Sequence, residues 1–499
     1  MPPLSFNIQH SPAFRRKFIR IREGRVRTRI AIAYVVVAAI VGSSGLAAIQ
    51  SQPKRLPNFI IILADDQGYG DLGSYGHPTL RTPNLDRMAA EGQRWTSFYA
   101  APVCTPSRAQ LMTGRLAVRT GLAGGVLFPD STGGLQPAEI TIAELLKTRG
   151  YATAAIGKWH LGVLPEYLPM NQGFDSYLGI PYSNDMDQTG GTLSADERFR
   201  RYMDAKIEYF NVPLMRNGTI IERPAQQTTI TKRYTDEGIQ FIRAHRTQPF
   251  FLYLAHNLPH MPLFRSKEFE HHSQRGLYGD AVEEIDSNVG RILSTLRELK
   301  LENDTLVLYT SDNGPWAPYL EQGGSAGLLR GAKASTWEGG MRVPAIFWWP
   351  GTIKSGVSTG IGSELDVLPT FASLAGVPPP GDRVIDGYDL SPVLKGTGPS
   401  PRRWLFYYAS TGSGVLSAVR RDAYKAFFVV PSTESAASGQ PSSPQLYNLD
   451  EDPSEKFDLA AKRPDVLTDL RALADEHAKT VVPVENQIAT RPQSKSVRP

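Results

Sequence analysis

Short apolar runs recur along the chain, and each gives way abruptly to polar residues or glycine. The runs are rich in β-branched and aromatic residues, a pattern typical of strands that are buried on both faces of a parallel sheet. They comprise NFIIILA (58–64), YATAAIG (151–157), PFFLYLA (249–255), TLVLYTS (305–311) and VPAIFWW (343–349). We therefore expect these segments to form strands of one central sheet.

Segments with helical periodicity separate the apolar runs. They comprise TPNLDRMAAEG (82–92), TIAELLKTRG (141–150), AVEEIDSNVGRILSTLRELK (281–300) and SELDVLPTFASLAGV (363–377). Strands that alternate with helices are typical of α/β folds. The pattern predicts a large, mainly parallel central sheet flanked by helices, and ligands of such sheets bind beyond the carboxyl ends of the strands.

The pattern changes after AGVPPPGD (375–382), where short alternating runs and polar turns precede a final helix near 464–480. We expect a larger domain over residues 55–384 and a smaller C-terminal domain over 385–485, with a short antiparallel sheet and a helix. The remaining residues, 486–499, form a polar, proline-containing tail of a composition typical of disorder.

The first 50 residues differ from the rest in charge and hydropathy. Residues 1–29 contain eight Lys or Arg and one Glu, and residues 30–48 carry no charge. A basic segment followed by an apolar run and small residues predicts a secretory signal, although the run is also nearly long enough for a membrane anchor. FRRKFIR (14–20) resembles a twin-arginine export motif, so the Sec and twin-arginine routes both stay open. We expect export machinery to deliver the protein to the periplasm or the exterior.

The charge distribution gives no support for a nucleic-acid-binding protein, and the cysteine content excludes a disulfide-stabilised one. The net charge of +5 comes entirely from the leader, because the basic excess of residues 1–29 exceeds it. The remainder is slightly acidic and gives no support for a nucleic-acid partner. With a single cysteine in 499 residues, no intramolecular disulfide can form.

Acidic and amide side chains follow two of the predicted strands. Asp65 and Asp66 come after the first apolar run, and Asp312 and Asn313 come after the fourth. Their oxygens suit Ca²⁺ or Mg²⁺ better than zinc, which makes the four residues candidate metal ligands. The alternative is that each of them only forms a turn or caps a helix.

The cysteine lies in the segment APVCTPSRAQLMTGR (101–115). Thr105 is a candidate N-cap and Pro106 fits the first helical position, so Cys104 is expected at the N-terminus of a helix, with Arg108 one turn further. The helix dipole favours an anion there, which would suit a nucleophilic thiol of lowered pKa. A small buried hydrophobic side chain is the other interpretation.

Two longer motifs resemble the signatures of the sulfatase family. PVCTPSRAQLMTG resembles the first signature, in which Cys-x-Pro-Ser-Arg directs the oxidation of the cysteine to formylglycine, and GYATAAIGKWHLG (150–162) resembles the second. Shorter matches follow in the expected order over residues 56 to 465, and they are most similar to the arylsulfatase A-like branch of the alkaline phosphatase superfamily. The resemblance implies an alkaline-phosphatase-like fold, with residues 55–384 as the catalytic domain.

The resemblance also implies a cofactor set. Formylglycine (3-oxoalanine) would replace the cysteine, and a divalent cation, usually Ca²⁺ with Mg²⁺ or Mn²⁺ as alternatives, would be bound nearby. A formylglycine-generating enzyme would be a required partner. The implied metal ligands are Asp65, Asp66, Cys104, Asp312 and Asn313.

The resemblance assigns catalytic roles to six positions, Cys104, Arg108, Lys158, His160, His260 and Lys333. Residue 104, hydrated to a gem-diol, would be the nucleophile, and Arg108 would hold that diol. Lys158 and His160 would contact the sulfate and the diol. His260 and Lys333 would face the leaving oxygen of the ester.

The chemistry of a sulfate monoester is consistent with these roles. A metal and several cations would stabilise the charge that develops in the transition state. One diol hydroxyl would take the sulfuryl group in a covalent sulfo-enzyme intermediate, and a base would then deprotonate the second hydroxyl to expel sulfate. We take His160 as that base. His256 stays open between a supporting and a substrate-binding role, whereas His77, His271 and His272 are assigned none.

Three functions follow from these observations. The first is the hydrolysis of aryl or sugar sulfate monoesters, supplied as small molecules or glycans. The second is a phosphonate or phosphodiester hydrolase of the same superfamily. The third is a non-catalytic protein that binds sulfated ligands, which would apply if Cys104 is never modified.

Overall fold

Ten strands form a central sheet in a computed structural model that describes residues 55–411, 414–429 and 443–489. In chain order they are β1 (Asn58–Ala64), β2 (Gln93–Tyr99), β3 (Ala152–Gly157), β4 (Ser176–Gly179), β5 (Leu214–Arg216), β6 (Thr219–Glu222), β7 (Phe250–Ala255), β8 (Thr305–Ser311), β9 (Arg342–Trp348) and β10 (Gly356–Ser363). Their order across the sheet is β10-β2-β9-β8-β1-β7-β3-β4-β5-β6. All five apolar runs lie in this sheet, as the sequence predicts.

The sheet is mixed, with a parallel centre. Strands β8, β1, β7, β3 and β4 run parallel to their neighbours within this group. Strand β9 was expected among the parallel strands but pairs antiparallel with both β8 and β2. The reason is that the chain between Ser311 and Arg342 stays at the edge where β8 ends, so β9 starts there and runs back.

Helices cover both faces of this sheet. The helices of the main part are α1 (Pro83–Glu91), α2 (Cys104–Thr113), α3 (Ile142–Lys147), α4 (Ala195–Met203), α5 (Ile230–Ala244), α6 (Gly276–Glu298), α7 (Glu338–Met341), α8 (Val367–Ala375) and α9 (Ser391–Leu394). One core joins α1, α5 and α6 to the sheet, and a second core joins α2, α3 and α8. Strand β1 serves both, since Ile60 and Ile62 face the first core while Phe59, Ile61 and Leu63 face the second.

A second, antiparallel sheet follows in the C-terminal part. It consists of β11 (Trp404–Tyr408), β12 (Leu416–Arg421), β13 (Tyr424–Phe427) and β14 (Gln445–Asn448), and the final helix is α10 (Pro464–Lys479). Val419, Ala426 and Leu446 pack against α10 on one face of this sheet. The predicted fold class, an α/β sheet plus a short antiparallel sheet with a helix, is confirmed.

The two sheets belong to one compact unit that begins at Arg55. A buried ion-pair network joins them, because Lys425 of β13 contacts both Glu338 of α7 and Glu455 at 2.9 Å. The division into domains near residue 385 stays a prediction.

The expected leader, residues 1–50, lies outside the described residues, as does most of the expected tail, 486–499. The proposed anchor over 30–48 therefore has no structural description. Among the residues that are described, none of the helices has the length and apolar character needed to cross a membrane.

Candidate functional site

The polar residues that follow β1 and β8, Asp65–Asp66 and Asp312–Asn313, meet at the carboxyl edge of the sheet. Strands β1 and β8 pair in parallel with Ala64 opposite Ser311, so the residues that follow them are neighbours. The backbone N–H of Asp66 donates to Asp312 Oδ1 at 3.2 Å, and Asn313 Nδ2 donates to Asp66 Oδ1 at 2.6 Å. The four candidate metal ligands named from the sequence therefore lie next to one another.

This edge has the donor set of a cation site. Ligand atoms of Asp65, Asp66, Cys104 and His260 all lie within 4.8 Å of one another, and all four residues are buried. In addition, the buried Oδ1 of Asn313 has no hydrogen-bond partner among the described residues. A buried acceptor without a donor costs free energy, and a hard cation would satisfy it. The residues therefore fit a metal ion bound mainly by oxygen.

The carboxylates also repel one another. Burial raises the pKa of Asp66 to about 7, and the negative charges of Asp65 and Asp312 add to this effect. Burial likewise raises the pKa of Asp312. Burial also acts to raise the pKa of Asp65, but the charges of Lys158, His260, Arg108 and Lys333 together outweigh it, and the pKa lies well below the ordinary value. A bound cation would relieve this repulsion.

Cys104 is the first residue of α2 and faces the same edge. Its Sγ lies 3.4 Å from Asp65 Oδ1, 3.5 Å from Lys158 Nζ and 3.7 Å from Lys333 Nζ. The side chain is only 2% exposed, and burial raises the pKa of the thiol well above its usual range. The structure does not support a thiol of lowered pKa, because burial and nearby carboxylates outweigh the two lysines.

Helix α2 begins two residues earlier than the sequence suggested. Val103 is the N-cap residue, and Thr105, expected to be the cap, lies inside the first turn. The Thr105 hydroxyl instead donates to the carbonyl of His160 at 3.0 Å and accepts from the N–H of Leu127 at 3.2 Å. Pro106 is accommodated because the first N–H groups of a helix have no partner within it.

Arg108 fixes the carboxylate of Asp312. Its guanidinium donates to Asp312 Oδ2 through Nη2 at 2.8 Å and Nε at 3.0 Å, and Nη1 donates to the carbonyl of Lys158 at 2.6 Å. Asp65 Oδ2 lies 3.6 Å from Nη2. These contacts bring Arg108 into the predicted cluster, and its expected contact with the modified residue 104 stays a prediction.

Lys158 and His160 extend from the loop after β3. Lys158 Nζ donates to Asp65 Oδ2 at 2.6 Å and to Ser183 Oγ at 3.1 Å. His160 Nε2 lies 2.9 Å from the carbonyl of Leu127, so Nε2 carries the proton and Nδ1 keeps its lone pair. Burial and the charge of Lys158 hold the pKa of His160 well below its usual value. Its buried Nδ1 has no partner in the described part of the chain.

His260 and Lys333 lie beside the carboxylate of Asp66. Lys333 Nζ donates to Asp66 Oδ2 at 2.8 Å and lies 4.4 Å from the ring centre of Trp316. His260 Nε2 lies 3.6 Å from Asp66 Oδ2 and 3.4 Å from Ser183 Oγ. Burial, with the charge of Lys333, lowers the pKa of His260 well below the ordinary value. All six predicted catalytic positions thus lie around one buried centre, while their roles stay predictions.

Two further residues of the centre were not assigned by sequence. Ser183 joins Lys158 to His260 through its hydroxyl. Trp316 contacts His260 and Lys333 with its ring. Ser183 lies in a segment that resembles the family and Trp316 directly follows one, but a serine or a tryptophan in a loop has no periodicity that would mark it.

His256 is buried, and neither ring nitrogen has a hydrogen-bond partner in the described regions of the chain. Burial alone lowers its pKa to about 4. The ring is therefore neutral at physiological pH.

A cavity of about 480 Å³ opens onto the thiol. We call it the Cys104 cavity, and its inner lining includes Cys104, His160, Ser183, His260, Trp316 and Lys333. A cavity of similar volume, about 490 Å³, lies near α10. Two arginines in that second cavity are paired, Arg119 with Asp386 at 3.0 Å and Arg402 with Asp366 at 2.5 Å. The Cys104 cavity is therefore the better candidate site, because its polar groups converge on a space that a ligand can enter.

The chain is similar to known proteins over most of its length. A family model described as "Sulfatase" matches residues 57–377, and a second, "C-terminal region of aryl-sulfatase", matches residues 400–499. Human arylsulfatase A is 43% identical over 442 residues, which cover 84% of this chain and 87% of the relative. The N-acetylgalactosamine-6-sulfatase of Canis lupus familiaris is 39% identical, covering 90% of each chain. The crystal structure of the PsFucS1 sulfatase from Pseudoalteromonas sp. superposes with a TM-score of 0.75 at 28% identity, covering 93% of this chain and 96% of that one.

Proposed function

This chain belongs to the sulfatase family and is a sulfuric ester hydrolase, and we propose that it cleaves aryl or sugar sulfate monoesters in the Cys104 cavity. We further propose that residue 104 acts as formylglycine. The observation that carries this proposal is the position of Cys104, at the start of α2 and within 3.7 Å of Asp65, Lys158 and Lys333. A nucleophile at that point faces both the carboxylates and the cations.

We propose a divalent cation, Ca²⁺ with Mg²⁺ or Mn²⁺ as alternatives, bound by Asp65, Asp66, Asp312, Asn313 and residue 104. When bound, the metal would neutralise charge on the sulfate oxygens and orient the ester. The unpartnered Oδ1 of Asn313 supports the oxygen-rich set. His260 lies within the same group of atoms, but hard cations prefer oxygen, and we assign His260 to the leaving group instead.

Lys158, Lys333 and Arg108 would provide the positive side of the site. Burial acts to lower the pKa of Lys333, but the charge and hydrogen bond of Asp66, together with Cys104 and Asp65, outweigh it and raise the pKa above its ordinary value. Lys333 therefore stays charged and can stabilise the negative charge that develops on the leaving oxygen. His260 Nδ1 faces the carbonyl of Met261 and keeps the proton of the neutral ring, so Nε2, directed towards Ser183 and Asp66, would donate to that oxygen only after gaining a second proton.

Residue 104, as hydrated formylglycine, would supply one hydroxyl to attack sulfur and a second whose deprotonation releases sulfate. His160 is suited to take that proton because its ring is neutral and its Nδ1 lone pair is unused. Its Nε2–H, held by the carbonyl of Leu127, fixes the tautomer that this role requires.

Mass spectrometry and kinetics test the proposal together. Protein produced with a formylglycine-generating enzyme should contain a peptide spanning residue 104 that is lighter than the cysteine form, and activity on an aryl sulfate should rise with the modified fraction. The Cys104→Ala variant should lose at least about 10³-fold in kcat/KM. An active preparation with unmodified Cys104, or an active Cys104→Ala variant, would contradict the mechanism.

An aryl phosphate diester and an aryl phosphonate serve as the comparison substrates. Faster cleavage of either than of the sulfate would favour the phosphonate or phosphodiester hydrolase. Binding of sulfated ligands without turnover, by protein from its natural host in which Cys104 stays unmodified, would favour the non-catalytic alternative.

We also propose that residues 1–50 direct export, on the basis of their basic and apolar segments. Cell fractionation of the full chain and of a chain lacking residues 1–50 tests this. Equal distribution of the two would contradict it.

A further inference from the structure

The outer wall of the Cys104 cavity carries polar groups that the proposed reaction does not use. Asp185, Gln188 and Tyr202 line the cavity beside Trp316 and Tyr319. Asp185 and Gln188 belong to the loop after β4, and Tyr202 belongs to α4. The wall is therefore built from a segment that contributes none of the predicted catalytic residues.

One carboxylate oxygen of Asp185 is held by a hydrogen bond, and the other has no donor among the described residues. The hydroxyl of Tyr202 donates to Asp185 Oδ2 at 2.8 Å. The other carboxylate oxygen, Oδ1, is buried and has no hydrogen-bond partner in the regions that the structure describes. Because an unsatisfied buried acceptor is costly, Oδ1 is suited to accept a hydrogen bond from a ligand.

Gln188 repeats this arrangement. Its Nε2 donates to the backbone carbonyl of Asp185 and to the hydroxyl of Tyr202, both at 3.3 Å. Its Oε1 is buried and likewise lacks a partner among the described residues. The amide is therefore oriented by its donor side, and its acceptor side stays available.

Tyr202 is fixed by aromatic packing. It is 4% exposed, and its ring centre lies 5.0 Å from that of Tyr319 and 6.1 Å from that of Trp316. Trp316 and Tyr319 are themselves only half-buried and contribute apolar surface to the cavity. The wall thus combines apolar ring surface with two acceptor oxygens that lack donors.

We propose that Asp185 and Gln188 accept hydrogen bonds from hydroxyl groups of the substrate, so that the preferred substrate is a sulfated sugar. A sugar ring offers several hydroxyl donors together with apolar C–H faces, whereas a simple aryl sulfate offers no donor. Tyr202 is a positioning residue that orients both acceptors. This inference rests on the proposed sulfatase activity.

The test compares two substrates in the same enzyme, 4-nitrophenyl sulfate and a panel of monosaccharide sulfates with free hydroxyls. A hydrogen bond from a neutral donor to a buried charged group is worth about 1.5–3 kcal/mol, or roughly 10- to 100-fold in kcat/KM. The Asp185→Ala variant should therefore lose at least about tenfold more activity on the preferred sugar sulfate than on the aryl sulfate. Tyr202→Phe should shift selectivity in the same direction by a smaller factor, which a general loss of structure would not do.

Asp187 provides the matched control. It also lines the cavity, but its Oδ2 is paired with Arg223 at 2.5 Å and accepts from Tyr182 at 3.3 Å. Asp187→Asn, which suits the left-handed backbone at this position (φ 56°), should leave the ratio of sugar to aryl activity unchanged.

The outcomes separate the two proposals. Equal losses on both substrates, or a wild-type enzyme that cleaves aryl sulfate but none of the sugar sulfates, would overturn the sugar assignment. A wild-type enzyme with modified residue 104 that cleaves neither would overturn the proposed function. In that event, calorimetric binding of the same sugar sulfates to Cys104→Ala, with and without Asp185→Ala, still tests recognition. Equal affinities of the two proteins would overturn it.

Discussion

Each of the three carboxylates nearest Cys104 is paired with one positively charged side chain. Asp65, Asp66 and Asp312 provide three carboxylates, and they are paired with Lys158, Lys333 and Arg108 respectively. Removing one member of a buried pair leaves an uncompensated charge, which destabilises a protein more than the pair stabilises it. In the proposed mechanism each cation would therefore serve two purposes, to hold its carboxylate and to stabilise charge in the reaction.

Lys333 is the residue at which these two purposes can be separated. Lys333→Ala should lower kcat by about 10²–10³-fold on phenyl sulfate, because a group that stabilises charge on the leaving oxygen is lost. The loss should be smaller on 4-nitrophenyl sulfate, whose leaving oxygen is more stable as an anion. Steady-state kinetics with aryl sulfates of graded leaving-group pKa measures the difference.

Lys333→Arg is the control. It keeps a positive charge beside Asp66 but replaces the ammonium group with a planar guanidinium of different geometry. Thermal unfolding of both variants reports on stability independently of turnover. An equal loss with every leaving group would assign Lys333 to the structure of the carboxylate cluster alone.

At the scale of elements, the sequence predicted those features of the fold and the site that depend on the local pattern of apolar and polar residues. The five apolar runs became strands because they are buried on both faces, and Asp65 and Asp312 were found because they directly follow two of those strands. The antiparallel direction of β9 depends on where a 30-residue excursion returns, which no local pattern records. Ser183 and Asp185 lie in an irregular loop, so the family resemblance located the segment but not their contacts.

Helix α2 is joined to two loops of the site by a single side chain, that of Thr105. The hydroxyl of Thr105 bonds the carbonyl of His160 and the N–H of Leu127, and so ties the first turn of α2 to two loops at the site. Thr105→Val keeps the shape but leaves both backbone groups buried without their partner. It should cost about 1–3 kcal/mol of unfolding free energy and lower kcat, because the carbonyl of Leu127 also holds the ring of His160.

Chemical denaturation and aryl sulfate kinetics measure the two effects. Thr105→Ser retains the hydroxyl and should restore most of both. If Thr105→Val is as stable and as active as the wild type, the two hydrogen bonds do not position this part of the site.

At the scale of the whole molecule, the C-terminal sheet is attached to the main part by buried charge as well as by apolar contact. Lys425 Nζ contacts Glu338 and Glu455 at 2.9 Å and donates to the carbonyl of Thr336 at 2.8 Å. Burial alone would raise the pKa of Glu338, but the charges of Lys425, Arg342 and Arg420 together outweigh it and the pKa falls. Glu338 lies in α7, which directly precedes β9. The network therefore connects the second sheet to a strand of the central sheet.

Lys425→Met tests this connection, because it leaves two carboxylates buried without their shared cation. We expect a loss of about 3–5 kcal/mol in unfolding free energy, measured by denaturant titration. Lys479→Met is the matched control, since its pair with Glu476 is exposed and should contribute little to stability. Adding Glu455→Gln to Lys425→Met should recover part of the loss, because one of the unpaired charges is then removed. A Lys425→Met protein as stable as the Lys479→Met control would mean that apolar packing alone holds the two sheets together.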